Sequence, residues 1–306
     1  MKSRSFRRRQ FLQYTALGTL GLLGFSAIAA KRIAAVPQGL RHFEGEDIFK
    51  RIVDKAAAEK WTKLPIGELM GKIARELEGT PYVGFTLETS LDKESCVVNL
   101  KGLDCVTFFE DTLCMARMLK RGKRKPEDLL AEIQFTRYRG GKMGDFTTRL
   151  HYTTDWMVDN EKKGVVKILA PTLPGAEPFI QKVGIMSEKP ASYRQLKAHP
   201  ELIPAIKRYE EEINAYQLKF IPLDKIEAVE PYLQTGDIIG VATREPGIDI
   251  AHTGLCIKDE QGMVHFMDAS SMKKFHKVTF EVQLNKALHW SEKLTGAMFA
   301  RPLEVT

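Results

Sequence analysis

Three residues of this chain have the types needed for acyl transfer. Cys105 lies in Gly102-Leu-Asp104-Cys105-Val-Thr, His252 in Ala251-His252-Thr-Gly254-Leu, and Asp268 in Phe266-Met-Asp268-Ala-Ser270. A thiolate attacks an amide carbonyl, an imidazole moves the proton, and a carboxylate fixes the imidazole tautomer. Each residue alone has a plainer reading. A free cysteine is usually a small buried hydrophobe, and a strand histidine is usually a satisfied core residue. Their positions on predicted elements shift the balance toward chemistry.

From Val106 to Lys120 the residues Val106, Phe109, Leu113, Met115, Ala116, Met118 and Leu119 mark one broad helical stripe. Asp104 is a good N-cap, which puts Cys105 in the first turn. Unpaired N–H groups and the positive end of the helix dipole favour an anionic sulfur there. Downstream, residues 233–242 read as a turn entering a strand and residues 248–257 as a second strand. Asp259-Glu-Gln-Gly262 supplies a hairpin turn, and residues 263–270 the return strand. Alternation puts His252, Gly254 and Cys256 on one face, and Phe266 with Asp268 on one face of the return strand. With the strand ends paired, Asp268 lies beside His252, while His265 has the opposite parity.

The N-terminus carries Arg7-Arg8-Arg9-Gln10-Phe11-Leu12, an uncharged stretch from Tyr14 to Ala30, and Ala27-Ile28-Ala29 as a small-x-small site. This predicts a twin-arginine (Tat) signal over residues 1–29, recognised by the Tat export machinery, and a periplasmic location. The stretch is interrupted by Thr15, Gly18, Thr19, Gly21, Gly24 and Ser26 and falls short of the roughly 20 apolar residues of a spanning helix, so no stable membrane span is expected. Cleavage after residue 29 of the 306 leaves 277, read as a single domain over 30–306 with no repeat or low-complexity linker. The formal charge of +7 includes Lys2, Arg4, Arg7, Arg8 and Arg9 with no acid before Ala30, which leaves +2 on the rest. A nucleic-acid partner is not indicated by so small an excess.

Four cysteines in an exported chain allow three full disulfide pairings, but a chain of this length needs no staples to bury a core. Cys105 and Cys114 fall on opposite faces of one helix and cannot bridge each other. The sequence has no Cys-x-x-Cys and no His-Glu-x-x-His, and its seven histidines show no ligand spacing, so no metal and no cofactor is expected.

Taken in order, Asp104-Cys105-Val-Thr-Phe, Gly236-Asp237-Ile-Ile, His252-Thr-Gly-Leu and Asp268-Ala-Ser-Ser271 resemble the core of the NlpC/P60 cell-wall hydrolases, a papain-like superfamily. Within it the chain resembles the DUF1460 family, N-acetylmuramoyl-L-alanine amidase-like proteins. Thr80-Pro81-Tyr82-Val83, Arg137 to Lys142, Thr148 to Trp156, Gly247 to His252 and Thr295 to Pro302 extend the likeness over most of the chain. The resemblance implies an α+β fold of papain-like NlpC/P60 type, a catalytic helix packed on an antiparallel sheet or barrel, with helical insertions. It implies a cysteine amidase that cuts the bond between muramic acid and L-alanine in (anhydro)muropeptides, using Cys105, His252 and Asp268. Asp268 stands where many relatives have histidine, in the same orienting role.

Around that core, Tyr82 is the expected side-chain oxyanion donor and Asp104 its neighbour at the helix start. Arg149, His151, Tyr152 and Trp156, in a segment spanning 137–156, are expected glycan contacts together with Asp249; a loop over a buried Trp is the bland alternative. Residues 171–231 read as a helical insertion walling the cleft, with Tyr193 to Leu218 helical and broken at Pro200 and Pro204. Two other readings fit the same residues: a γ-D-glutamyl-diaminopimelate endopeptidase or related cysteine hydrolase, and a non-catalytic peptidoglycan-binding protein.

Overall fold

Apolar residues recur at helical spacing in the first half of the chain and at strand spacing in the second, and the elements segregate the same way. A computed structural model describes residues 41–305; the predicted signal over residues 1–29 lies outside the described residues. Helices α1 (Glu46–Ala58), α2 (Ile66–Glu76), α3 (Cys105–Lys120), α4 (Pro126–Arg137) and α5 (Thr153–Lys162) come first. A two-stranded parallel sheet, β1 (Arg41–Glu44) and β2 (Cys96–Asn99), lies among them. The second half supplies β3 (Val166–Ile168), β4 (Glu177–Pro178), β5 (Lys219–Pro222), β6 (Ile238–Thr243), β7 (Ile250–Lys258), β8 (Val264–Ala269), β9 (Val278–Gln283) and β10 (Leu294–Pro302).

These strands form one sheet in the order β4-β5-β10-β6-β7-β8-β9, with β3 also against β10. Every pairing within it is antiparallel. The architecture is therefore α+β with an antiparallel sheet, as expected. The β7–β8 hairpin turns at Asp259 to Gly262, with Gly262 at φ 80° and its N–H donated to the Asp259 carbonyl.

Helix α3 packs between α2 and α4 on one side and β7 and β8 on the other. This corrects the single apolar stripe expected from its sequence, because residues from Thr107 to Leu119 are buried all round. A helix enclosed on every side buries polar positions as well, and Glu110, Asp111, Thr112 and Arg117 are among them. The main core joins this helix to Leu255, Ile257, Met267 and Ala269, while a second core holds Ile239, Val241, Cys256, Val264 and Phe266. Alternation along β7 and β8 assigns these residues to opposite faces of the sheet.

The segment 171–231 is only partly helical. It contains α6 (Ile185–Glu188), α7 (Arg194–Ala198), α8 (Ile203–Asn214) and α9 (Ile226–Val229), but it also gives β4 and β5 to the sheet. Pro204 does not break a helix; it sits in the first turn of α8, where its missing N–H costs nothing.

Candidate active site

Cys105 owes its position to local chemistry at the start of α3. The Asp104 carboxylate accepts from the N–H groups of Val106 (3.1 Å) and Thr107 (2.8 Å), and the Thr107 hydroxyl accepts from the Asp104 N–H (2.9 Å). This reciprocal capping box fixes the first turn and leaves the Cys105 N–H to other partners. Asp104 is thus the cap that sets the direction of the cysteine.

His252 and Asp268 meet across the hairpin. The register pairs Cys256 with Phe266 and Leu255 with Met267, so Asp268 continues the face that His252 occupies. His252 Nε2 and Asp268 Oδ2 are 2.6 Å apart, which leaves Nδ1 as the ring atom for the neighbouring Cys105 sulfur. Asp268 is 1% exposed. Gly254 is required between them: a Cβ there would lie 2.5 Å from the Phe266 ring and 2.6 Å from the Met267 carbonyl oxygen.

Burial alone would discharge His252. The negative charge of Cys105 and the hydrogen-bonded Asp268 carboxylate outweigh it and raise the ring from its usual 6.5 to about 10. A ring held charged in this way is a proton donor at neutral pH. Because the folded value is raised, the contribution of the charged His252 beside Asp268 to stability is complete below about pH 6.5 and is lost as pH rises through about 10. The melting-temperature advantage of wild type over His252→Ala is expected to shrink steadily across that window. An advantage independent of pH would contradict the pair.

Tyr82 stands close enough to feel the charges of Cys105 and Asp104, and burial, followed by those charges, pushes its hydroxyl up to about 12. It therefore remains a neutral donor throughout the physiological range. Its ring packs edge-on to His276, and its backbone bridges to Leu103, two residues before the cysteine.

All four cysteines are free, and Cys105 alone among them is partly exposed. Burial pushes the Cys96 thiol up to about 12 and those of Cys114 and Cys256 well above their usual range. Iodoacetamide at neutral pH is expected to label Cys105 at least about tenfold faster than the other three. Uniform labelling of the folded protein, read by peptide mass spectrometry, would contradict this.

The pocket beside the pair is lined by Ala251, His252, Phe266, Asp268, Ser270, Ser271, Met272, Glu281 and Trp290. Trp290 stands edge-on to His252 with ring centres 5.8 Å apart. A groove carrying Lys274 and Lys286 continues from it through Met272, Glu281 and Trp290. Sequence reasoning missed Glu281 and Trp290. The alternation Val278-Thr-Phe280-Glu281-Val282 was the signal for β9, whereas nothing local marks Trp290. Among the described residues no group of three His, Cys, Asp or Glu side chains could hold a metal ion.

None of the five expected substrate contacts lines this pocket. Arg149 is 7% exposed and bonds Glu94 through Nε and Nη2 (2.8 Å each) and Glu88 through Nη1 (3.0 Å). The His151 ring bonds the Phe146 carbonyl at 2.7 Å, and burial, then Arg149, lowers it to about 3, so it stays neutral. Tyr152 donates to Glu210 at 2.6 Å and Trp156 to Glu110 at 2.7 Å. Asp249 accepts from the Thr154 N–H (2.8 Å) and hydroxyl (2.7 Å). Their polar groups are engaged inside the protein, as in the alternative reading of this segment around a buried Trp. His265 bonds Asp259 at 2.9 Å and stacks on Phe280, so it does not orient His252.

A partly exposed cysteine at a helix start, a charged histidine and a buried carboxylate are thus brought together. Residues 72–292 match the AmiA-like family model, described as N-acetylmuramoyl-L-alanine amidase-like, and the chain belongs to that family. An N-acetylmuramoyl-L-alanine amidase from Bacteroides uniformis superposes with a TM-score of 0.71 at 29% identity, over 78% of this chain and 99% of that one. A Bacteroides fragilis protein named as a candidate xylanase gives a TM-score of 0.67 at 31% identity, over 74% of this chain and 98% of that one. A Legionella pneumophila protein of the DUF1460 family shares the fold at 19% identity and a TM-score of 0.59, over 83% and 97% of the two chains. A comparison with curated proteins finds no match.

Proposed function

We propose that this protein is a cysteine amidase that hydrolyses the N-acetylmuramoyl-L-alanine bond of muropeptides in cell-wall turnover. The observation that carries this reading is the 2.6 Å His252–Asp268 pair beside a cysteine capped into the first turn of α3, in a chain of amidase-like family. It supports a papain-like NlpC/P60 reading, with aspartate in the orienting position.

The Cys105 thiolate attacks the lactyl carbonyl and forms a tetrahedral oxyanion. The Cys105 N–H and the Tyr82 hydroxyl donate to that oxyanion. The His252 imidazolium then protonates the departing alanine nitrogen, leaving a thioester on Cys105. His252, now neutral, draws a proton from water, which attacks the thioester and regenerates the thiolate. Lys274 and Lys286 in the adjoining groove suit the carboxylates of the peptide stem, and Trp290 offers a sugar ring an apolar face. A xylanase reading needs two carboxylates free to flank a glycosidic bond, and Asp268 is already engaged by His252.

Delivery to the periplasm by the twin-arginine signal completes the reading. Mass spectrometry of products from a defined muropeptide tests the bond cut. A sugar acid plus a peptide beginning with a free alanine amine is expected. A sugar still carrying L-Ala-D-Glu identifies the endopeptidase and contradicts the proposal.

A further inference from the structure

Asp268 has two carboxylate oxygens, and only one has a partner. Oδ2 bonds His252 at 2.6 Å, while Oδ1 is buried with no hydrogen-bond donor. An unpaired buried carboxylate oxygen is expensive, and a carboxylate that can turn would loosen the imidazole it holds. The register of β8 with β9 pairs Asp268 with Thr279, and Glu281 follows two residues on, at the irregularity where the β8–β9 register shifts. Glu281 is half-buried and lines the pocket with Asp268 and His252.

We propose that Glu281 is a positioning residue: in its protonated form it donates a hydrogen bond to Asp268 Oδ1 and locks the carboxylate that orients His252. Two carboxyl groups side by side share one proton more readily than they hold two negative charges. The groups facing Glu281 agree with this. Burial, then the charge of Asp268, raise its carboxyl from 4.5 to about 7, against the opposing charges of Lys274 and His252. His265 is committed to the Glu281 backbone carbonyl and Asp259, and Lys286 and His289 line the outer groove. Deprotonation replaces a hydrogen bond by repulsion, so kcat falls as pH rises through about 7.

The proposal rests on the Cys105-His252-Asp268 reading, and its test separates the two. Steady-state kinetics on a muropeptide are measured from acid to alkaline pH for wild type, Glu281→Gln, Glu281→Ala and Cys105→Ala, with melting curves for each. Glutamine keeps a donor that cannot ionise, so Glu281→Gln should retain kcat and lose the fall near neutral pH. Glu281→Ala should lose about tenfold in kcat below that point, with KM little changed. A Glu281→Ala enzyme with wild-type kcat, or a Glu281→Gln enzyme that keeps the wild-type limb, overturns the role of Glu281. If Glu281→Ala does not fold, the Glu281→Gln profile still decides. An active Cys105→Ala enzyme overturns the underlying site itself.

Discussion

Cys105→Ala is expected to lower kcat/KM on a muropeptide by at least about 10⁴-fold, because the nucleophile of a covalent mechanism has no substitute. What remains would come from substrate binding and the oxyanion donors. The fold should tolerate the change. Cys105 is partly exposed at the first position of α3, and the Asp104–Thr107 capping box that starts the helix does not use its side chain. Far-UV circular dichroism and the melting temperature should therefore match wild type. A mutant that turns over at the wild-type rate would remove Cys105 from the chemistry, and one that unfolds would make the residue structural.

The second large effect is on stability. Arg137 is 2% exposed; its Nε bonds Glu110 at 2.7 Å and its Nη1 the Val97 carbonyl at 2.6 Å. Glu110 in turn accepts from Trp156, and Asp111 lies 3.7 Å from Nη2 with neither of its oxygens hydrogen-bonded. Burial pushes the Asp111 carboxyl well above its usual range, and the Arg137 charge is the main influence opposing it. Arg137→Ala removes the cation that β2, α3 and α4 share and leaves two buried acids uncompensated. The expected loss is about 3–5 kcal/mol of unfolding free energy, measured by guanidinium melts. Arg137→Met should recover little of it, since it restores the stem and not the charge. A loss below about 1 kcal/mol would show that the acids find other partners or simply protonate.

This network also marks where the sequence stops being legible. Asp104 as a cap, Cys105 in the first turn, the Asp259–Gly262 turn and the facing of His252 with Asp268 all follow from local rules of propensity and period. The helix α3 did not read as fully enclosed, because its buried Glu110, Asp111 and Arg117 look like a solvated face until their partners are known. The same ambiguity affected Arg149, His151, Tyr152 and Trp156. Aromatic and hydrogen-bonding residues in a loop-rich segment resemble a sugar site, and only the distant Glu88, Glu94, Glu110 and Glu210, with the Phe146 carbonyl for His151, reveal that they are tied inward. Glu281 reaches the pocket through strand pairing, and Trp290 from the segment before β10, neither of which a local pattern encodes. Local structure was readable from the chain, whereas long-range polar partnership was not.

The central claim is that Cys105 carries the acyl group between the two half-reactions, and acid quenching during turnover tests it most directly. Peptide mass spectrometry of enzyme stopped in the presence of a muropeptide should find the muramoyl sugar acid attached as a thioester to the Cys105 peptide. The adduct should be absent from Cys105→Ala. A γ-glutamyl peptide on Cys105 would contradict the bond assignment, and an acyl group on any other residue would contradict the mechanism.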